Sequence, residues 1–383
     1  MKRLVLSICC VLCFCIVPMA STFKTNFAYA DVPSTAKSSI LVDFMSGEVL
    51  KENNADEKLP IASMVKMMTL LLTFEEIDEN RLTLDTKITT SENASGMGGS
   101  QVFIDPFVSY SAEDLIKSVV MASANDASVA LAEHIAGSES AFVSRMNDKA
   151  KQLGMTNTLY ANCTGLPAPE QYSTARDVSV LMNQLLKHKE YFKYSSIWMD
   201  QLVHPSGRIT ELVNTNKLTR YYKGCDAGKT GSTSEAGFCL CASAIKGDMR
   251  LISVVIGSKT GQDRFNESAS LLNYGFANFE NKNIVSNVVP IAELKVKRAK
   301  ISNIECFAKE AFSGLCKKGE NPDFKTELVL DECVQAPASA GKVVGKIVIS
   351  KNGEVLKEIE IILKEDIKSL TYKDGFKKVV SNW

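Results

Sequence analysis

Residues 38–51 open the readable pattern. Ser38-Ser39-Ile40-Leu41-Val42-Asp43 is an apolar, β-prone run, Met45-Ser46-Gly47 supplies turn residues, and Glu48-Val49-Leu50 returns, which predicts a hairpin. A helical run follows Pro60, from Ile61 through Thr69 into Leu70-Leu71-Leu72; proline belongs where a chain enters a helix. Ser111-Ala112-Glu113-Asp114 has the form of a capping box ahead of Leu115 to Met121. The next run, Asp126 to Ile135, stops at Gly137, another stops at Gly154, and Ser173-Thr174-Ala175-Arg176-Asp177 opens one more through Leu186. From Gly237 the period shortens. Phe238 to Ala244 and Arg250 to Ile256 are apolar almost throughout and joined by Lys246-Gly247-Asp248, the pattern of strands covered on both faces. Phe265 to Phe276 reads as a closing helix. Hairpin first, helices between, hairpin and helix last: this order predicts an α+β domain over residues 31–284, its antiparallel sheet assembled from both chain ends and flanked by helices.

After about residue 285 short alternating segments take over: Ala292 to Lys297, Thr326 to Leu330, Val343 to Ser350 and Val355 to Leu363, the last two joined by a tight turn at Lys351-Asn352-Gly353. They predict a smaller C-terminal all-β domain, a sandwich over residues 285–370. In the tail, 371–383, Phe376, Val379, Val380 and Trp383 fall at helical spacing beside Lys377 and Lys378. That is either a short amphipathic stub making weak membrane-surface contact or a frayed terminus.

Composition narrows the classes. The 383 residues carry 44 basic and 44 acidic side chains; three of the basic and none of the acidic lie in the first 30, so the rest is slightly acidic. Nucleic acid binding is not indicated. Three scattered histidines and no Cys-x-x-Cys or His-Glu-x-x-His pattern point to no metal and no cofactor. Lys2-Arg3, the apolar run Leu4 to Val17 and Ala28-Tyr29-Ala30 form a signal peptide over residues 1–30, implying export to the extracytoplasmic cell surface; an uncleaved anchor is the alternative. Seven of the 11 cysteines lie beyond it, an odd number that cannot all pair internally. They read as small buried apolar residues, with a Cys306–Cys316 bridge left open.

Candidate chemistry begins with Ser63 and Lys66. Three residues apart at a helix start, they share a face, and the helix N-terminus favours negative charge forming on Ser63. Met64, Val65, Met67 and Met68 surround Lys66 with apolar groups, which favours a neutral amine able to take a hydroxyl proton. Alone, the pair is no more than a polar face on a helix. Two later elements change that. Ser123-Ala124-Asn125 sits between helical runs, where a serine can relay a proton and an amide can pair with a peptide backbone. Lys229-Thr230-Gly231 precedes Ser232 to Phe238; on a strand bordering a cleft, the lysine and threonine can hold a carboxylate and the glycine lets substrate approach the backbone. Both elements have decoys, Ser91-Glu92-Asn93 and Lys259-Thr260-Gly261. Only the set Ser63, Ser123 and Lys229 falls in the order helix start, interhelical turn, strand.

Ser-x-x-Lys, Ser-x-Asn and Lys-Thr-Gly together are the signature of penicillin-binding proteins and β-lactamases. With Ala124-Asn125-Asp126-Ala127, Tyr172 to Asp177, Lys229 to Gly237 and Arg264-Phe265-Asn266-Glu267-Ser268, the chain resembles the D-alanyl-D-alanine carboxypeptidases, low-molecular-weight penicillin-binding proteins of serine peptidase family S11. The resemblance spans roughly residues 31–280, and the β-domain is similar to that family's C-terminal domain. It implies a β-lactamase/transpeptidase-like fold and catalytic roles for Ser63, Lys66 and Ser123. It implies substrate binding by Asn125, Lys229, Thr230, Gly231, Ser232 and Arg264, a peptidoglycan stem peptide ending in D-Ala-D-Ala as substrate, and β-lactams as covalent inhibitors. Arg264 would help bind the terminal carboxylate, with a structural ion pair as the alternative. Ser232 stands where members often have a bulkier residue. Two rivals stay open: a β-lactamase using Glu170 to activate water, and a non-catalytic cell-wall-binding protein.

Overall fold

Odd and even positions of the central strands part company. Ile40, Val42, Cys239, Cys241, Ile252, Val254 and Ile256 enter one apolar core, while Leu41, Leu240, Ala242, Ala244 and Leu251 enter a second on the opposite face. Side chains alternate across a strand, so a sheet apolar at both parities must be covered on both sides. The computed structural model describes residues 34–320 and 322–371. The signal-peptide segment and the helical spacing of the tail lie outside them.

The chain runs through β1 (Ser38–Asp43), β2 (Val49–Asn53), a 3-10 turn (Ala62–Val65), α1 (Lys66–Asp78), β3 (Lys87–Thr89), α2 (Glu92–Ser95) and β4 (Ser109–Ser111). Next come α3 (Ala112–Met121), α4 (Asn125–Ala136), α5 (Glu139–Gln152), α6 (Ala175–Leu185), α7 (Lys189–Ser195), β5 (Met199–Val203), β6 (Ile209–Val213) and α8 (Leu218–Tyr221). The main sheet is completed by β7 (Cys225–Thr233), β8 (Gly237–Lys246) and β9 (Met249–Ser258), followed by α9 (Asp263–Asn278). Its five strands lie in the order β2-β1-β9-β8-β7, every neighbouring pair antiparallel. The first hairpin is thus joined to the last one, as the order of elements predicts. Helix ends follow local chemistry: Ser111 and Thr174 cap α3 and α6 by accepting from Asp114 N and Asp177 N, and α4 ends at Gly137 with φ +79°. Helix α1 is buried on nearly every side, so it is the central helix rather than a surface one.

The β-rich part comprises β10 (Phe279–Val285), β11 (Ala292–Lys297), β12 (Asn303–Ala308), β13 (Phe312–Lys317), β14 (Phe324–Leu330), β15 (Val334–Gln335), β16 (Val343–Lys351) and β17 (Glu354–Leu363). Six of these form one sheet, β14-β16-β17-β12-β11-β15, and β10 pairs with β13 as a ribbon. Val285 and Phe312 of the ribbon pack against the sheet's Ile347, Ile349, Ile359 and Ile361. Cys306 and Cys316 are buried free thiols, so the bridge left open by their spacing is not formed. Among the described residues no helix is long and apolar enough to cross a membrane.

Candidate active site

Ser63 does not begin an α-helix. It lies in the 3-10 turn, and Lys66 is the first residue of α1. The predicted juxtaposition survives because residues three apart eclipse in a 3-10 turn. The turn is entered through Ala62 at φ +48°, a backbone region that non-glycine residues rarely occupy. Two glycines let neighbours close on it. A Cβ on Gly231 would stand 2.6 Å from Ile61 O, and one on Gly165 would collide with the Ala62 carbonyl oxygen. Gly231 therefore admits β7 to the Ser63 turn, a closer constraint than the substrate clearance its sequence suggests.

Every neighbour of Ser63 from Ile61 to Thr69 is buried; Ser63 alone is partly open. Lys66 is fully buried, with Nζ 3.1 Å from Ser63 Oγ and 2.5 Å from Thr164 O. Burial lowers its ammonium from the usual lysine value to about 7, against smaller opposing effects of Cys163 and Asp126. The Thr164 carbonyl, on a loop far along the chain, had no signal in the sequence.

Ser123 occupies the α3–α4 turn at φ +60° and is 4% exposed. Lys229 Nζ donates to Ser123 Oγ at 2.7 Å and to Thr230 O at 3.0 Å. Desolvation holds Lys229 well below the usual lysine range, with the positive charges of Lys66 and Arg264 adding to the effect. Asn125 opens α4, its Nδ2 donating to Gly98 O at 2.6 Å while Oδ1 is buried without a partner. Thr230 Oγ1 donates to Thr215 Oγ1 at 2.8 Å, linking β7 to the segment after β6. Ser232 is exposed on β7, the free edge of the main sheet.

Arg264 sits at the start of α9, where its Nη1 donates to Gly231 O (3.0 Å) and Cys239 O (3.3 Å). Its guanidinium also lies over the Phe238 and Phe265 rings. It is a brace for β7 beside the cleft, and no acidic partner supports the ion-pair alternative among the described residues. Both decoys are structural. Ser91 caps α2, and Thr260 exchanges hydrogen bonds with Asp263 ahead of α9. Glu170 is exposed on the rim of a cleft of about 210 Å³ lined by Pro60, Ile61, Ala62, Gly165 and Leu166.

Residues 25–260 match the family described as D-alanyl-D-alanine carboxypeptidase, Peptidase S11, and residues 279–369 match the penicillin-binding protein 5 C-terminal domain. D-alanyl-D-alanine carboxypeptidase DacF of Bacillus subtilis is 38% identical over 100% of this chain and 99% of its own length. DacC of Escherichia coli is 38% identical over 88% of this chain and 86% of its own. The crystal structure of penicillin binding protein 5 from Haemophilus influenzae matches with a TM-score of 0.69 at 32% identity, covering 88% of this chain and 99% of that one. With its sheet, its helices and its β-rich C-terminal part all accounted for by these likenesses, the chain belongs to the D-alanyl-D-alanine carboxypeptidase family, the low-molecular-weight penicillin-binding proteins.

Proposed function

We propose that the family's activity, release of the terminal D-alanine from peptides ending in D-Ala-D-Ala, runs in this chain through an acyl-enzyme on Ser63. One observation carries the reading: a fully buried Lys66 amine stands 3.1 Å from the one partly open hydroxyl of the turn. A neutral amine has two N–H donors and one lone pair. Thr164 O accepts one N–H, and the lone pair is left for the Ser63 O–H.

Ser63 Oγ attacks the carbonyl between the two D-alanines as its proton moves to Lys66. The backbone N–H groups of Ser63 and Ser232 face the developing oxyanion; losing one such donor typically costs about 3 kcal/mol. Ser123, hydrogen-bonded to Lys229, passes a proton to the leaving amine as the C–N bond breaks and D-alanine departs. Asn125 aligns the peptide, and Gly231 keeps β7 against the nucleophile turn. Lys229 and Thr230 offer N–H and O–H donors to the terminal carboxylate, and the braced Arg264 adds positive potential at that end of the cleft. Water then cleaves the ester. β-Lactams acylate the same hydroxyl.

The β-lactamase alternative is not favoured, because no hydrogen bond to a described residue holds the exposed Glu170 against a deacylating water. Export, residues 31–284 and 285–370 as the two domains, and weak surface contact by the tail complete the reading; peptidoglycan stem peptides lie outside the cytoplasm. Ser63→Ala tests its centre. D-alanine release from a D-Ala-D-Ala pentapeptide and labelling by fluorescent penicillin should both be lost, and persistent labelling would refute the assignment.

A further inference from the structure

Asp126 is fully buried, yet no cation pairs with it among the described residues. Its carboxylate instead accepts backbone N–H groups from Val102 (3.1 Å), Ile104 (3.2 Å) and Ala127 (2.9 Å). The preceding residue binds the same stretch, Asn125 N donating to Ser100 O at 2.7 Å and Asn125 Nδ2 to Gly98 O at 2.6 Å. The carbonyls of residues 98 and 100 and the amides of 102 and 104 all bond to the first turn of α4, although the segment is not a regular strand: Phe103 lies at φ +61°. Phe103, between two of them, points outward at 59% exposure. Gly99 sits at φ +79°, and a Cβ there would stand 2.8 Å from Asn125 Nδ2.

A buried carboxylate without a counter-ion is costly, and backbone N–H donors at a helix N-terminus are what make it tolerable. A helix cap alone would not require the charge to reach across to a separate segment. We infer that Asp126 is a positioning residue for the reaction: it straps residues 98–104 onto α4 so that the Gly98 carbonyl sets the Asn125 amide. The inference rests on the Ser63 reading above and adds a residue that touches no substrate.

Two variants test the strap, with D-alanine release measured on the full chain. Asp126→Asn should raise KM about tenfold and leave kcat within about threefold, a split that a merely structural loss would not give. Gly99→Ala presses on the same amide from the exposed side of the strap. It should raise KM comparably, again with kcat nearly kept. A native KM in Gly99→Ala overturns the strap, and it can be read even if Asp126→Asn does not fold. A native KM, or a kcat that falls with KM unchanged, in a folded Asp126→Asn protein overturns the positioning role. Absence of D-alanine release and of a penicillin adduct in the unmodified chain would instead refute the Ser63 reading.

Discussion

Around the Ser63 turn the interior holds two lysines and a carboxylate, Lys66, Lys229 and Asp126, each at most 1% exposed. Beyond Ser268 no described residue buries a polar or charged side chain, thiols aside, and the β-rich part rests on Val344, Ile347, Ile349, Ile359, Ile361 and Leu363. Its charges pair on the surface instead, as Lys346 does with Glu358 and Lys309 with Glu360. The contrast teaches where this chain gives up stability. Burying an amine opposes folding and a hydrophobic core does not; among the described residues both buried lysines lie against serine hydroxyls, Lys66 at Ser63 and Lys229 at Ser123.

Lys66→Met is the strongest way to break the comparison. Activity should fall about 10³-fold or more in kcat/KM, while the protein becomes more stable by about 2 kcal/mol, read as a higher denaturation midpoint. A variant both inactive and less stable would show the buried amine to be structural. Ile361→Ala should do the reverse. Ile361 is fully buried, so truncation should cost about 3 kcal/mol of stability in that part, with kcat/KM at 25 °C unaltered. A loss of activity would mean that the β-rich part shapes the cleft.

The third test follows protons. Folding lowers Lys66 from 10.5 to about 7, so between those values the unfolded chain holds the proton that the folded chain lacks. The Lys66 penalty is complete below pH 7 and fades as pH rises toward 10.5, with a limiting slope of about 1.4 kcal/mol per unit. The stability advantage of Lys66→Met should therefore shrink across that window; an advantage independent of pH would mean that Lys66 titrates normally. The smallest effect belongs to Glu358→Gln. Its pair with Lys346 is half exposed on both sides, so its loss should shift stability by no more than about 0.5 kcal/mol in urea denaturation.

What could be read from the chain was what neighbours in sequence decide. Ser63 and Lys66, the caps at Ser111 and Thr174, the stops at Gly137 and Gly154 and the β8–β9 hairpin are all set within a few residues. The 3-10 start of α1 escaped because it depends on Gly165 and Gly231 closing from two distant segments. Thr164 O, Thr215 and the strap on Asp126 escaped for the same reason: their bonds span 98, 15 and 24 or fewer residues and carry no local pattern. Ribbon β5–β6 was missed although Pro205-Ser206-Gly207 marks its turn, because exposed Met199, Val203, Ile209 and Val213 on its outer face blur the alternation. Order along the chain separated the Lys-Thr-Gly that meets Ser123 from the second copy, whose Thr260 is tied to Asp263 instead.

The most direct test is the pH dependence of acylation by a fluorescent penicillin, with the adduct located by mass spectrometry of the digested protein. The account predicts an adduct on the peptide containing Ser63 and an acylation rate that rises with pH to half its maximum near 7, as Lys66 loses its proton. An adduct on another residue, or a rate flat from well below to well above that value, would contradict it.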